Sequence, residues 1–306
     1  MSEPSSLFEL LSSADKHPAI SSEHTTPYSF WKESFRRFRS NRLSFISASI
    51  LSLFFMIAII APFLSSYTYY DTHLSLKNLP PSTRFWFGTD ELGRDIFTRI
   101  WWGARISLFV GLIASVIDLI IGVFYGALAA LAGSKTEEYM MRIADILHSI
   151  PYLLVVILLM VIIGPGICTI ILALTITGWI GMARMVRSQI LQLKQMDFIT
   201  ASIAMGASRK RILMKHLIPN CMGPIIITVT LTIPSAIFAE AFLSFLGLGV
   251  QAPIASWGTM ANDGLSALRY YPWRLFFPAS FISVTMLCFN LVGDGMRDAF
   301  DPRMRS

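Results

Sequence analysis

Charge is what this 306-residue chain has least of: 14% of its residues are Asp, Glu, Lys or Arg, whereas 54% are apolar. Soluble domains carry about one-quarter charged residues. The deficit, with a mean hydropathy of +0.59, argues for an integral membrane protein. Cysteine is scarce as well. Cys168, Cys221 and Cys288 stand far apart, match no CxxC or metal-ligand spacing, and lie in or beside apolar runs, which makes them core filler. No G-x-x-x-x-G-K-[ST] occurs, so the chain lacks that route to binding ATP. The first 42 residues are rich in Ser, Glu, Lys and Arg without an early apolar region, which argues against a cleavable secretory leader. A net charge of +6 would point to nucleic acid in a soluble protein, but in a membrane chain the placement of the cations matters more than their sum. No nucleic-acid partner is expected.

What is present is a series of charge-free intervals. Crossing a hydrocarbon core of about 30 Å takes about 20 helical residues. Residues 43–64 hold no charge, and residues 106–132 hold only Asp118. Residues 146–183 form a run of 38 without Asp, Glu, Lys or Arg, too long for one helix. Gly164-Pro165-Gly166 divides it, predicting a hairpin of spans 146–163 and 167–183. A fifth span covers 220–246, with Pro234 inside it and Glu240 near its end; a sixth covers 275–293. The domain reading is a polar leader 1–42, a six-span domain 43–296 with a connecting loop 184–219, and a tail 297–306.

Six crossings put both termini on one side. That side carries 18 of the 25 Lys and Arg residues, including Arg36, Arg37, Arg39, Arg42, Arg184, Arg187, Arg209, Lys210 and Arg211. By the positive-inside bias it is the cytoplasm. The loop ahead of span five, TASIAMGASRKRILMKHLIPN (200–220), therefore faces inward. Met196, Ile199 and Ile203 recur at helical spacing, as do Leu213 and Leu217. Gly206 falls between the halves as a helix stop, and Pro219 sits where a missing N–H costs least. The expectation is a helix, a glycine turn and a second, basic helix at the membrane surface, where anionic lipid headgroups are one available partner.

This loop resembles the cytoplasmic signature of ABC-importer permeases: a Glu-Ala-Ala segment, a Gly, and an aliphatic-Pro pair. The match runs through Ala201, Gly206, Ala207, Ser208, Leu217, Ile218 and Pro219. Thr200 replaces the usual Glu and Ser202 the second Ala. Three further stretches, FGTDELGRDIFTRIWWGARISL (87–108), FLSFLGLGV with SWGTM (242–260) and NLVGDGMRDAFDPR (290–303), resemble the C-type permeases of dipeptide, oligopeptide and nickel importers. The resemblance implies an all-α, six-transmembrane-helix type I ABC importer permease bundle with cytoplasmic coupling helices, in a bacterial inner membrane. It implies that the coupling segment, including Thr200, Ala201, Ser202, Gly206, Ala207, Ser208, Arg209, Lys210, Arg211, Leu217 and Pro219, docks on an ATP-hydrolysing subunit. It also implies a homologous second permease, two cytoplasmic ATPase subunits holding ATP and Mg, and an extracytoplasmic substrate-binding protein. The chain itself would hold no cofactor or metal and catalyse nothing.

Four expectations concern particular residues. In GTDELGRDIFTR, Thr89 is expected to N-cap a short outer-surface helix, with Asp90 and Glu91 in its first turn and Asp95 facing Arg99. Trp101 and Trp102 suit the headgroup zone. Asp118 and Glu240 are the candidates for lining a pathway; for Asp118 a hydrogen bond to a neighbouring helix competes with that role. Gly111, Ser115, Gly122 and Gly126 form a small-residue stripe suited to close helix packing. Two other classes compete. A secondary transporter would show paired inverted repeats, and an intramembrane aspartyl protease would need Asp118 and Asp294 to meet, although they fall at different membrane depths.

Overall fold

The computed structural model describes residues 30–65 and 67–300; most of the polar leader and the last residues of the tail lie outside these. Among the described residues the fold is helical, and the only β-contact is an isolated bridge between Thr89 and Asp95. An amphipathic helix α1 (Phe30–Ser40) leads into α2 (Arg42–Leu64) through Asn41, whose side chain accepts from Ser44 N. The long helix α3 (Ile96–Leu131) follows an extended loop. Next come α4 (Ser134–Ser149), α5 (Tyr152–Ile163) and α6 (Ile167–Leu193). The elbow consists of α7 (Asp197–Ala204) and α8 (Arg209–Ile212), and a π-helical segment Leu213–Leu217 runs on into α9 (Ile218–Phe245). Helices α10 (Trp257–Leu265) and α11 (Trp273–Phe300) complete the chain.

Helix α3 is the axis, packed against α2, α6 and α9. Its small-residue stripe explains how. A Cβ on Gly122 or Gly126 would come within 2.5 Å of Met182 Cβ or 2.4 Å of Ala183 O on α6, and one on Gly111 within 2.3 Å of Ile237 Cγ1 on α9. Substituting any of these forces the helices apart, so the absent side chains set the interhelical distance. Pro62 supplies a second cross-link. Having no N–H, it leaves Ala58 O without its helical donor, and Arg105 of α3 fills the gap, its Nε donating to Ala58 O and its Nη2 to Ile59 O, both at 2.6 Å.

Five helices are long and apolar enough to cross a membrane, and six crossings result if α4 and α5 count as one broken span. The third expected span is thus corrected. Residues 146–163 are not one helix: the chain bends by 78° between α4 and α5. Pro151 is the cause, since the residue before a proline avoids the α region; Ile150 sits at φ −72°, ψ 125°. Twelve residues of α5 reach about 18 Å, short of a full crossing. Helix α4 is held against α6 by Arg184–Asp145 (2.6 Å) and by Arg187, whose Nε donates to Glu137 at 2.7 Å. The hairpin expected at Gly164-Pro165-Gly166 is present, with Gly164 at φ +94°. Helix α3 begins at Ile96 rather than 106, and α6 continues past 183 to Leu193. In both cases the helix runs on through charged residues beyond the apolar interval.

Candidate functional site: an exposed elbow and a stapled loop cap

The elbow is built from local rules. Ser202 Oγ donates to Phe198 O at 2.7 Å inside α7, and the helix ends in a Schellman turn. Ala207 N donates to Ser202 O at 3.1 Å and Gly206 N to Ile203 O at 2.9 Å, with Gly206 at φ +81°. Ser208 then caps α8, its side chain accepting from Arg211 N at 3.3 Å. Pro219 follows where the helix widens to π geometry, which accommodates its missing donor.

Ile199, Ile212 and Leu217 root the elbow, 1%, 7% and 0% exposed, against Ala127 and Ala130 of α3 and Met182, Val186 and Ile190 of α6. Lys194 adds a bond from Nζ to Ala130 O at 3.0 Å. Ser202 is buried, whereas Thr200, Ala201, Gly206, Ser208 and Pro219 are exposed and Ala207 half-buried. Of Met196, Ile199 and Ile203 in the apolar stripe only Ile199 is buried, and Met196 and Ile203 lie outside the core. Together with Phe198, Met205 and Met214 they are exposed, Met205 by 81%. Beside them Arg209, Lys210, Arg211 and Lys215 are exposed and form no ion pair among the described residues. The surface is apolar, polarizable and cationic.

At the other end of α3 the loop GTDELGRDIFTR departs from expectation. Thr89 caps no helix; its Oγ1 donates to Leu76 O at 2.5 Å and accepts from Leu79 N at 2.8 Å, closing the loop. Asp95 is the N-cap of α3, accepting from Thr98 N at 2.9 Å and Thr98 Oγ1 at 2.6 Å. It therefore does not face Arg99. Burial lifts the Asp95 carboxyl above its usual range, against the pull of the Thr98 bonds. Asp90 takes the role foreseen for Asp95: it accepts from Arg94 N at 2.9 Å, pairs with Arg94 Nε at 2.6 Å and lies 3.6 Å from Arg99. Arg274 of α11, only 5% exposed, reaches Glu91 at 2.9 Å and Asp263 O at 3.0 Å. Trp101 is corrected too, because it is buried in an aromatic cluster with Phe54, Phe97 and Phe281. Trp102 lies against Tyr69 and under Arg105.

Neither pathway candidate reaches an open surface. Glu240 is fully buried, accepting from Ser107 of α3 and Ser244 of α9 at 2.7 Å each. Ser107 Oγ also accepts from Trp257 N at 3.4 Å, so this carboxyl joins α3, α9 and α10. Sequence alone gave no sign of this cage, because its serines are scattered from 107 to 244. Asp118, 7% exposed, packs on Gly178 of α6, where a Cβ would lie 2.2 Å from its Oδ2. The expected hydrogen bond to a neighbouring helix is not formed by Oδ1, which has no partner.

Known proteins with this arrangement are membrane transport components. Residues 122–306 match the binding-protein-dependent transport system inner membrane component family, and residues 29–81 match the N-terminal TM domain of oligopeptide transport permease C. The oligopeptide transport system permease protein OppC of Bacillus subtilis is 59% identical over 277 residues, 90% of this chain and 91% of that protein. The dipeptide transport system permease protein DppC of the same organism is 57% identical over 278 residues, 90% of this chain and 87% of that one. An inward-facing MetNI methionine ABC transporter shares the fold, with a TM-score of 0.55 at 21% identity over 65% of this chain and 94% of that one. The chain belongs to the binding-protein-dependent transport system inner membrane components, and is a multi-pass permease subunit of an ABC importer rather than an enzyme.

Proposed function

We propose that this subunit imports di- or oligopeptides, that its elbow is the ATPase docking surface, and that it pairs with a homologous second permease above two ATPase subunits. The ATPases hold ATP and Mg, and an extracytoplasmic binding protein delivers cargo. Both termini lie in the cytoplasm, as the distribution of Lys and Arg favours. The peptide reading is supported by relatives named for oligopeptide and dipeptide transport; nickel import is the alternative within the same group.

One observation carries the docking reading: the elbow is rooted by three buried side chains while Phe198, Ile203, Met205 and Met214 stay exposed beside cations that form no ion pair among the described residues. Methionine-rich surfaces adapt to a partner groove. Because Ile199, Ile212 and Leu217 touch α3 and α6 directly, a push on the elbow moves both helices as a packed unit. Thr200 is exposed and uncharged, so attraction to the ATPase rests on the cationic half. Gly206→Pro removes both the positive φ and the N–H that bonds Ile203 O. In reconstituted vesicles with all partner subunits, this variant should insert normally and hydrolyse ATP with peptide uptake lost. Normal uptake would show that the elbow does not couple.

A further inference from the structure

We infer that the outer cap holds a subsite for a carboxylate, the terminal carboxylate of the peptide cargo, in the cavity between α3, α10 and the loop that follows α9. This rests on the peptide reading above. The cavity has a volume of about 190 Å³, room for one terminal residue rather than a whole peptide. Arg94 and Arg99 line it, only 7% and 3% exposed. Thr259, Asn262 and Asp263 of α10 form one wall, and the 247–254 loop the other.

The guanidinium donors are only partly spent. Arg94 pairs with Asp90 through Nε at 2.6 Å, and among the described residues its two terminal nitrogens have no partner. Arg99 donates from Nη1 to Tyr69 O at 3.3 Å, while its two carboxylate neighbours are distant, Asp90 at 3.6 Å and Asp263 at 3.9 Å. Charge-assisted N–H···O bonds close to about 2.7–2.9 Å. One carboxylate, Asp90, is thus shared between two buried guanidinia, and Asp263, with 44% side-chain exposure, stands at the rim. Glu91 is engaged by Arg274. A planar anion entering the cavity meets the fork of Arg94 and the unfilled side of Arg99, with Asn262 as a further donor; the Thr259 hydroxyl is engaged in capping α10, donating to Ser256 O at 3.0 Å. Bidentate recognition of a carboxylate uses this geometry.

The test is uptake by proteoliposomes containing both permeases, the ATPases and the binding protein, supplied with trialanine as free acid or as C-terminal amide. The affinity of the binding protein for each form is measured separately, and both are used at saturation. Arg94→Gln should lower uptake of the free acid by about tenfold more than that of the amide, collapsing the acid-to-amide ratio. Asn262→Asp, which alters only a half-buried side chain at the rim, should act in the same direction without disturbing the Asp90 pairs, and decides the matter if Arg94→Gln fails to fold. A ratio unchanged in Asn262→Asp, whether both forms fall together or neither falls, would overturn the subsite while leaving peptide import standing. Wild-type vesicles that import neither form would overturn the peptide reading and the subsite with it.

Discussion

The two ends of α3 are built on opposite principles. At its N-terminal end the cap is tied together by ions within the chain: Asp90 pairs with Arg94 and lies 3.6 Å from Arg99, and Glu91 pairs with Arg274, all but Glu91 buried. At its C-terminal end the elbow satisfies its backbone locally and leaves its cations and several large apolar side chains in the open. A region that pairs its charges internally is a scaffold. One that pairs its backbone but not its surface leaves apolar and cationic groups free, and the docking proposed above would use them.

This contrast breaks first at Asp90. Asp90→Ala strands two buried guanidinia and should cost about 3–5 kcal/mol, read as a large drop in thermal unfolding temperature in detergent. An unchanged transition would mean that the cap is not held by its ions. Glu240→Ala removes the acceptor for two buried hydroxyls and should cost about 3 kcal/mol in the same assay. Overpacking comes next. Gly178→Ala drives a methyl into the Asp118 carboxyl and should cost about 2 kcal/mol, largely recovered when combined with Asp118→Ala; purely additive effects would place the clash elsewhere. In the elbow, Gly206→Ala has open space around its Cβ and meets only the left-handed backbone, about 1 kcal/mol. Smallest of all, Lys210→Ala should change stability by no more than about 0.5 kcal/mol while weakening co-purification of the ATPase. A loss of stability matching Asp90→Ala would erase the distinction between the two ends.

Much of this was legible in the sequence where a local rule decides. The Gly206 turn and the Gly164 hairpin each depend on one glycine and the small-residue stripe on three, and each stands where its glycines do. Charge-free intervals located the crossings but not their ends, because a helix continues through Arg99 or Arg187 once those side chains find partners. The break at Pro151 was hidden inside an apolar run, where hydropathy does not vary. The outer loop was misread for another reason. Asp90 and Asp95 are chemically equivalent, and only the closure of the loop by Thr89 decides which one caps α3 and which one meets Arg99. A carboxylate in a span demands a partner, but the partners of Glu240, Ser107 and Ser244, carry no such signal in the sequence.

The central claim is that the elbow is a cytoplasmic docking surface. The most direct measurement places a single cysteine at Met205, 81% exposed at the tip of the turn, in a background without Cys168, Cys221 and Cys288, and probes it in the assembled transporter. The account predicts a cross-link to the ATPase subunit whose yield changes with ATP, and no labelling of intact cells by a membrane-impermeant maleimide. Labelling from outside, with no cross-link under any nucleotide condition, would contradict it.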